Sequence, residues 1–189
     1  MPFDGLYRPD DFSQDIADTL ARWGEGIDGV LNLGRLVQRF IAENDTKSFW
    51  TIGEPATISS GLPGRKLLDG PDGAYRVLLA QYGPGMATAV HSHEGWVVIG
   101  IIEGSERYTS WRRADDGSDP KHATLELVQD HHIMPGEFGY LYNQPLNVHR
   151  QSAEGNGALE IVLMKGRGRR LEHIDVATGE CSQPIELNR

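Results

Sequence analysis

The stretch "AVHSHEGWVVIGIIEG", residues 89 to 104, sets His91 and His93 one residue apart just before seven residues with no polar side chain, Trp96 to Ile102. Residues i and i+2 of a β-strand share a face, so the two imidazoles point the same way. A run that is apolar on both faces belongs to a strand covered on both sides. The segment therefore predicts two nitrogen ligands, about 7 Å apart along the backbone, at the mouth of the most buried strand. Such a pair also arises by accident on surface strands. His149, in "YNQPLNVHRQS" (142–152), strengthens the metal reading, because it lies on a later predicted strand after a turn that contains Pro145.

Working outward, the first quarter has helical periodicity. In "PDDFSQDIADTLARW" (9–23) the apolar positions Phe12, Ile16, Leu20 and Trp23 recur at three and four, with aspartates at the start where the helix dipole favours them. "VLNLGRLVQRFIAEN" (30–44) repeats the pattern with Leu33, Leu36, Val37, Phe40 and Ile41. Beyond it the signal changes to short apolar or alternating runs between glycine and proline turns, the mark of an antiparallel sandwich or barrel. "RKLL" and "AYRVLLAQY" flank the turn "DGPDG", and "GPG" (83–85) makes the next turn. "ERYTSWRR", "TLELVQ", "EFGYLYN", "NVHRQSA" and "ALEIVLMK" follow as further strands. The expectation is a mainly β chain: N-terminal helices in 1–45 packed on a barrel in 46–189, one structural domain overall.

With 18 basic and 27 acidic side chains the net charge is −9, which argues against nucleic acid or an anionic membrane as principal partner. The only cysteine, Cys181, cannot form an intrachain disulfide. No apolar run follows a basic start, and none approaches the roughly 20 residues that span a bilayer. A soluble, cytoplasmic protein is expected.

The order of glycine turn, His-x-His, apolar strand and distant histidine resembles the cupin superfamily, whose barrel is a double-stranded β-helix, or jelly roll. Gly85 and His91 match the spacing of that superfamily's first motif, but Val97 and Val98 stand where its glutamate is expected. A cupin with three histidines and no glutamate is similar to the cysteine dioxygenase-like thiol dioxygenases. "RKLLDGPDGAYRVLLAQYGPGMATAVHSH" resembles the matching stretch of that branch, including an arginine 26 residues before the first histidine, which is Arg65 here. "HSHEGWVVIGIIEGSERYTSWRR" is similar to bacterial relatives in which a tryptophan follows the histidine pair. The resemblance covers roughly residues 60 to 165. It implies ferrous iron held by His91, His93 and His149, and a substrate carboxylate held by Arg65. The branch commonly has serine, histidine and tyrosine on the strand after the third ligand; Val162, Met164 and Gly166 occupy those places.

The resemblance thus implies a non-haem iron dioxygenase that converts a small carboxylate-bearing thiol to a sulfinic acid with dioxygen. The missing tyrosine favours a mercapto acid over cysteine. Read without the resemblance, Arg65 is a surface arginine in an ion pair and Trp96 either a core residue or a wall of the site beside the ligands; Gln81, Tyr140 and Tyr142 lie on strands whose faces the pattern leaves open. Trp96, Gln81 and Tyr142 are taken with Arg65 as substrate-binding candidates. Arg112 and Arg113 read as solvated, and His122, His131, His132 and His173 as loop or surface residues. Two alternatives stay open: cleavage of a diketone-like carbon acid by the same iron, and a non-catalytic cupin that binds a small acid. Three histidines also suit zinc. The expected partners are a small thiol acid and dioxygen, with a homodimer as the candidate assembly.

Overall fold

The computed structural model describes residues 6–49, 51–58, 62–166 and 170–182, so the last seven residues of the expected barrel segment lie outside the description. Helix α1 (Pro9–Trp23) starts on a proline, whose missing N–H costs nothing at that position, carries Asp10 and Asp11 in its first turn, and ends at Gly24 with φ 66°. Helix α2 (Ile27–Ala42) buries Val30, Leu33, Val37 and Phe40, a stripe at three- and four-residue spacing. Phe12 and Phe40 stack with ring centroids 4.2 Å apart, which joins the helices. Trp23 stays 46% exposed, because α1 ends before it can turn onto the sheet. No helix among the described residues is long and apolar enough to cross a membrane.

Among the described residues ten strands form one curled antiparallel sheet: β1 (Glu54–Ile58), β2 (Leu62–Asp69), β3 (Tyr75–Tyr82), β4 (His91–His93), β5 (Val97–Arg113), β6 (Leu125–Ile133), β7 (Phe138–Leu141), β8 (Val148–Lys165), β9 (Arg170–Ile174) and β10 (Cys181–Ser182). This is the mainly β half-barrel with two N-terminal helices that the sequence predicts. The frame is the ribbon of β5 and β8, which pair from Val97↔Met164 to Trp111↔Val148 with two register shifts. What the sequence shows as two pairs of strands, "WVVIGII" with "ERYTSWRR" and "NVHRQSA" with "ALEIVLMK", is therefore two long bent strands. The ribbon turns a corner where Gly104 (φ 78°) meets Gly157 (φ 106°), and a Cβ on Gly104 would stand 2.0 Å from the Gly157 carbonyl oxygen.

Alternation along β5 divides the core. Val98 and Ile102 face the helices with Val77, Leu79, Ile161 and Leu163, whereas Val97, Ile99 and Ile101 face the barrel interior with Val162 and Met164. Gly100 lets α2 approach, since a Cβ there would sit 2.5 Å from Val37. The apolar run is thus covered on both faces, as its composition implies.

The histidine pair and the apolar run are nevertheless separate strands. β4 pairs with the start of β8 and with β9, whereas the start of β5 pairs with the end of β8. Residues 94–96 carry the chain from one half of the curled sheet to the other. β1, β9 and β10 are short, and β1 contains a proline and lies at a sheet edge, so none has a strong strand pattern.

Candidate metal centre

β4 holds His91 and His93 on the inner face, and the antiparallel register sets His149 of β8 directly opposite His91. All three rings are buried. The Nε2 atoms of His91 and His93 are 2.9 Å apart, and those of His91 and His149 are 3.0 Å apart. His91 Nδ1 lies 2.9 Å from the Ala89 carbonyl oxygen. A carbonyl only accepts, so Nδ1 carries the proton and the Nε2 lone pair faces the other two rings. One cation at about 2.0–2.1 Å from each nitrogen suits atoms so spaced, and an outer hydrogen bond that fixes the tautomer is usual for a metal-binding imidazole. His91, His93 and His149 are the one histidine, cysteine and carboxylate group of metal-ligating geometry among the described residues. The strand end is pinned on both sides: His93 N–H donates to the Asn147 carbonyl at 3.1 Å and Asn147 Nδ2 donates to the His93 carbonyl at 2.7 Å.

The three rings open onto a cavity of about 220 Å³. One wall is apolar, made by Leu78, Val97, Ile99, Val162 and Met164. Lys66 and Arg76 also line it. Arg76 Nε donates to Asp69 at 2.6 Å, and Lys66 Nζ lies 3.4 Å from Asp69 and 3.6 Å from Glu54. The hydrogen bond from Arg76 holds the Asp69 carboxyl below the usual range.

The substrate-binding residues expected from the resemblance lie elsewhere. Arg65 shares a face with its pairing partner Leu79, towards the helices, and its guanidinium donates to the carbonyls of Ile52 and Gly53, each at 2.7 Å. The adjacent Lys66 takes the inner face instead. Trp96 is fully buried in the helix-side core, Gln81 is exposed beyond Leu79 on that same face, and Tyr142 packs partly buried against the helix side. None of these four lines the cavity.

Other expectations divide. Arg112 is exposed and pairs with Glu126, but Arg113 is buried, 2.7 Å from both Asp115 and Glu172. Burial opposes ionisation of Asp115, yet hydrogen bonds from Arg113, Thr124 N and Gly117 N outweigh it and hold the carboxyl down to about 2. His131 and His132 are exposed on β6, and His132 meets Glu154 at 2.6 Å. His173 lies on β9, half-buried, its ring centroid 6.3 Å from that of His91.

Sequence reasoning missed a polar group at the inner end of the cavity. Gln151 and Glu160 line the cavity, and Glu106 is buried beside them, 0% exposed against 1% for Glu160. Gln151 Nε2 donates to Glu106 Oε2 at 3.3 Å and to Glu160 Oε2. One amide thus holds the two carboxyls side by side. Burial pushes the Glu106 carboxyl up to about 7, against the lowering effect of the bonds from Gln151 and Glu160. Tyr108, which donates to the Tyr140 carbonyl at 2.9 Å, is raised well above its ordinary value, by burial first and by the nearby acids after it.

No protein-family model matches the sequence. Solved structures of similar fold include an RmlC-like cupin from Shewanella frigidimarina, at 15% identity over 60% of this chain and 84% of that one, with a TM-score of 0.41. KdgF from Halomonas sp. is 14% identical over 60% of this chain and 88% of that one, with a TM-score of 0.45. An oxalate oxidase in complex with the substrate analogue glycolate is 17% identical over 52% of this chain and 45% of that one, with a TM-score of 0.41. The match therefore spans less than half of the oxidase.

Proposed function

We propose that this protein is a non-haem ferrous dioxygenase that oxidises a small carboxylate-bearing thiol, R–SH + O2 giving R–SO2H, with both oxygen atoms transferred to sulfur. The supporting observation is the convergence of three buried histidine nitrogens on a small cavity that also holds Lys66 and Arg76. A ferrous ion held there supplies a centre that binds a thiolate and activates dioxygen. The side chains do the rest. Lys66 and Arg76 attract and orient the carboxylate, the task that the resemblance assigned to Arg65. Leu78, Val97, Ile99, Val162 and Met164 exclude water around the reacting sulfur. The wall of Val162 and Met164 has no hydrogen-bond acceptor, so an α-amino group that lay against it would go unpaired, at a cost of roughly 1–3 kcal/mol. A mercapto acid is therefore the preferred substrate. Cleavage of a diketone-like carbon acid is the second reading, favoured by the buried Glu160 carboxyl, which is placed to take a proton from carbon.

Oxygen uptake by iron-loaded protein with 3-mercaptopropionate, mercaptosuccinate, cysteine and a diketone decides between these readings. A thiol acid without an amino group should react fastest, with sulfinate as product. Uptake with the diketone alone would replace the first reading by the second. Charge-assisted hydrogen bonds contribute about 1.5–3 kcal/mol, so Arg76→Ala and Lys66→Ala should raise KM for the thiol acid by about ten- to a hundredfold, with unchanged iron content. Unaltered KM in both variants would remove the cationic pair from substrate binding.

A further inference from the structure

The buried group at the inner end of the cavity has a chemistry of its own. Two buried carboxyls held side by side by one amide cannot both ionise without strong repulsion, so the pair shares a proton. Gln151 donates to both, which fixes their oxygens and leaves Glu160 facing the cavity that contains the three histidines. Glu106 Oε1 is buried with no hydrogen-bond partner among the described residues, so the pair has unused capacity to take up a second proton. Tyr82, Lys66, Arg76 and the three histidines also line the cavity, and Tyr108 on β5 adjoins the pair.

We propose that Glu160 is the acid–base residue of this cavity, a catalytic residue that takes the proton of the incoming thiol, with Glu106 and Gln151 as positioning residues that hold its carboxyl and share its proton. The proposal rests on the reading of the cavity as a thiol-acid site. The thiol enters as R–SH and its S–H bond breaks as an O–H bond forms on a Glu160 oxygen, while the proton that Glu160 held passes to the Glu106 carboxylate. The substrate remains as R–S⁻ and the pair goes from one proton to two. When the sulfinate R–SO2⁻ departs, Glu160 passes that proton to water and the pair returns to one, which balances R–SH + O2 → R–SO2⁻ + H⁺. Position alone serves this role: the proton acceptor lies inside the cavity, so the thiol need not ionise in water before it enters.

The test uses iron-loaded full-length wild type, Glu160→Gln and Glu106→Gln, all checked for iron content and folded spectrum. Under nitrogen, 3-mercaptopropionate is titrated into each protein in weak buffer and the released protons are counted. Wild type should release close to none, and Glu160→Gln about one per thiol bound. In air, Glu160→Gln should lose about a hundredfold or more in kcat. Wild-type rate should rise with pH through neutrality as the pair loses its second proton; that limb should vanish in Glu160→Gln and move to another pH in Glu106→Gln. Infrared difference spectra of substrate-free wild type and Glu160→Gln near pH 6 add a readout independent of turnover: the carbonyl stretch of a neutral carboxyl should be altered in the variant. Equal proton release, or a wild-type rate and pH limb in Glu160→Gln, would overturn the assignment while the thiol-acid reading stands. Iron-loaded wild type that binds no thiol acid would overturn that reading and the thiol as proton donor together.

Discussion

Glu106 is the residue whose surroundings differ most from water, and its ionisation is linked to the stability of the whole fold. Its carboxyl has an ordinary value of 4.5 and is pushed up to about 7 by burial. The folded state therefore holds a proton that the unfolded chain has already released between those values. The stability contributed by the protonated form is complete below about 4.5, and it declines as pH rises until the folded carboxyl ionises near 7. The shift corresponds to about 3 kcal/mol. Glutamine at this site keeps the shape and the contact to Gln151 but carries no charge, so Glu106→Gln should match wild type near pH 5 and exceed its Tm near pH 8. Thermal melts of metal-free protein at the two pH values check this. An equal difference between variant and wild type at both values would mean that folding does not raise the Glu106 carboxyl above its ordinary value.

At the scale of elements, the ends of α1 and the convergence of the histidines could be read from the sequence, because each has a local cause. Pro9, the two aspartates and Gly24 mark where α1 begins and ends. His91 and His93 share a face by alternation alone, and the Pro145 turn brings His149 back to them. Inner-face parity along the long strands could not be read in this way. Val97, Ile99 and Ile101 point inward on β5, but after the register shifts around Gly104 the inner set becomes Glu106, Tyr108 and Ser110. β8 changes parity in the same manner, from His149 and Gln151 to Glu160, Val162 and Met164. A bulge has no sequence signature strong enough to carry that inversion, so nothing in the sequence marks Glu106 as an inward residue. Arg65 and Lys66 differ by one position on β2, and alternation puts the second rather than the first into the cavity. The corner itself supplies a test. Gly157 sits at φ 106°, and a Cβ there would lie 2.3 Å from the Tyr82 carbonyl oxygen. Gly157→Ala should cost about 3 kcal/mol or more through strain and clash, read as a fall in Tm, whereas Gly155→Ala, with φ 53° and nothing within 4 Å, should cost less. Equal losses would mean that backbone conformation alone, not the close approach of strands, makes the corner need glycine.

Across the whole molecule the helices and the ligand set stand on opposite faces of the sheet. The helix-side cluster joins α1 and α2 to β3, β5 and β8; β4 lies outside it and is held by its pairing with β8 and β9 and by the His93–Asn147 contacts. A strand of three residues has few hydrogen bonds of its own. An ion held jointly by His91 and His93 from β4 and His149 from β8 would therefore tie this short strand more firmly to the ribbon that forms the frame. Binding to the folded state alone stabilises by about 2.7 kcal/mol at a free ion concentration a hundred times Kd. For a chain of this size that corresponds to a rise in Tm of about 5 to 10 °C. Melting of chelator-treated protein, with and without added ferrous ion under nitrogen, should show that rise, and chelator should reverse it. Histidine at position 149 is required for it, so His149→Ala should show a rise of no more than about a degree, while replacement of both exposed histidines, His131 and His132, should leave the rise intact. An undiminished rise in His149→Ala would place the ion at another site and remove the premise on which the oxidation chemistry rests.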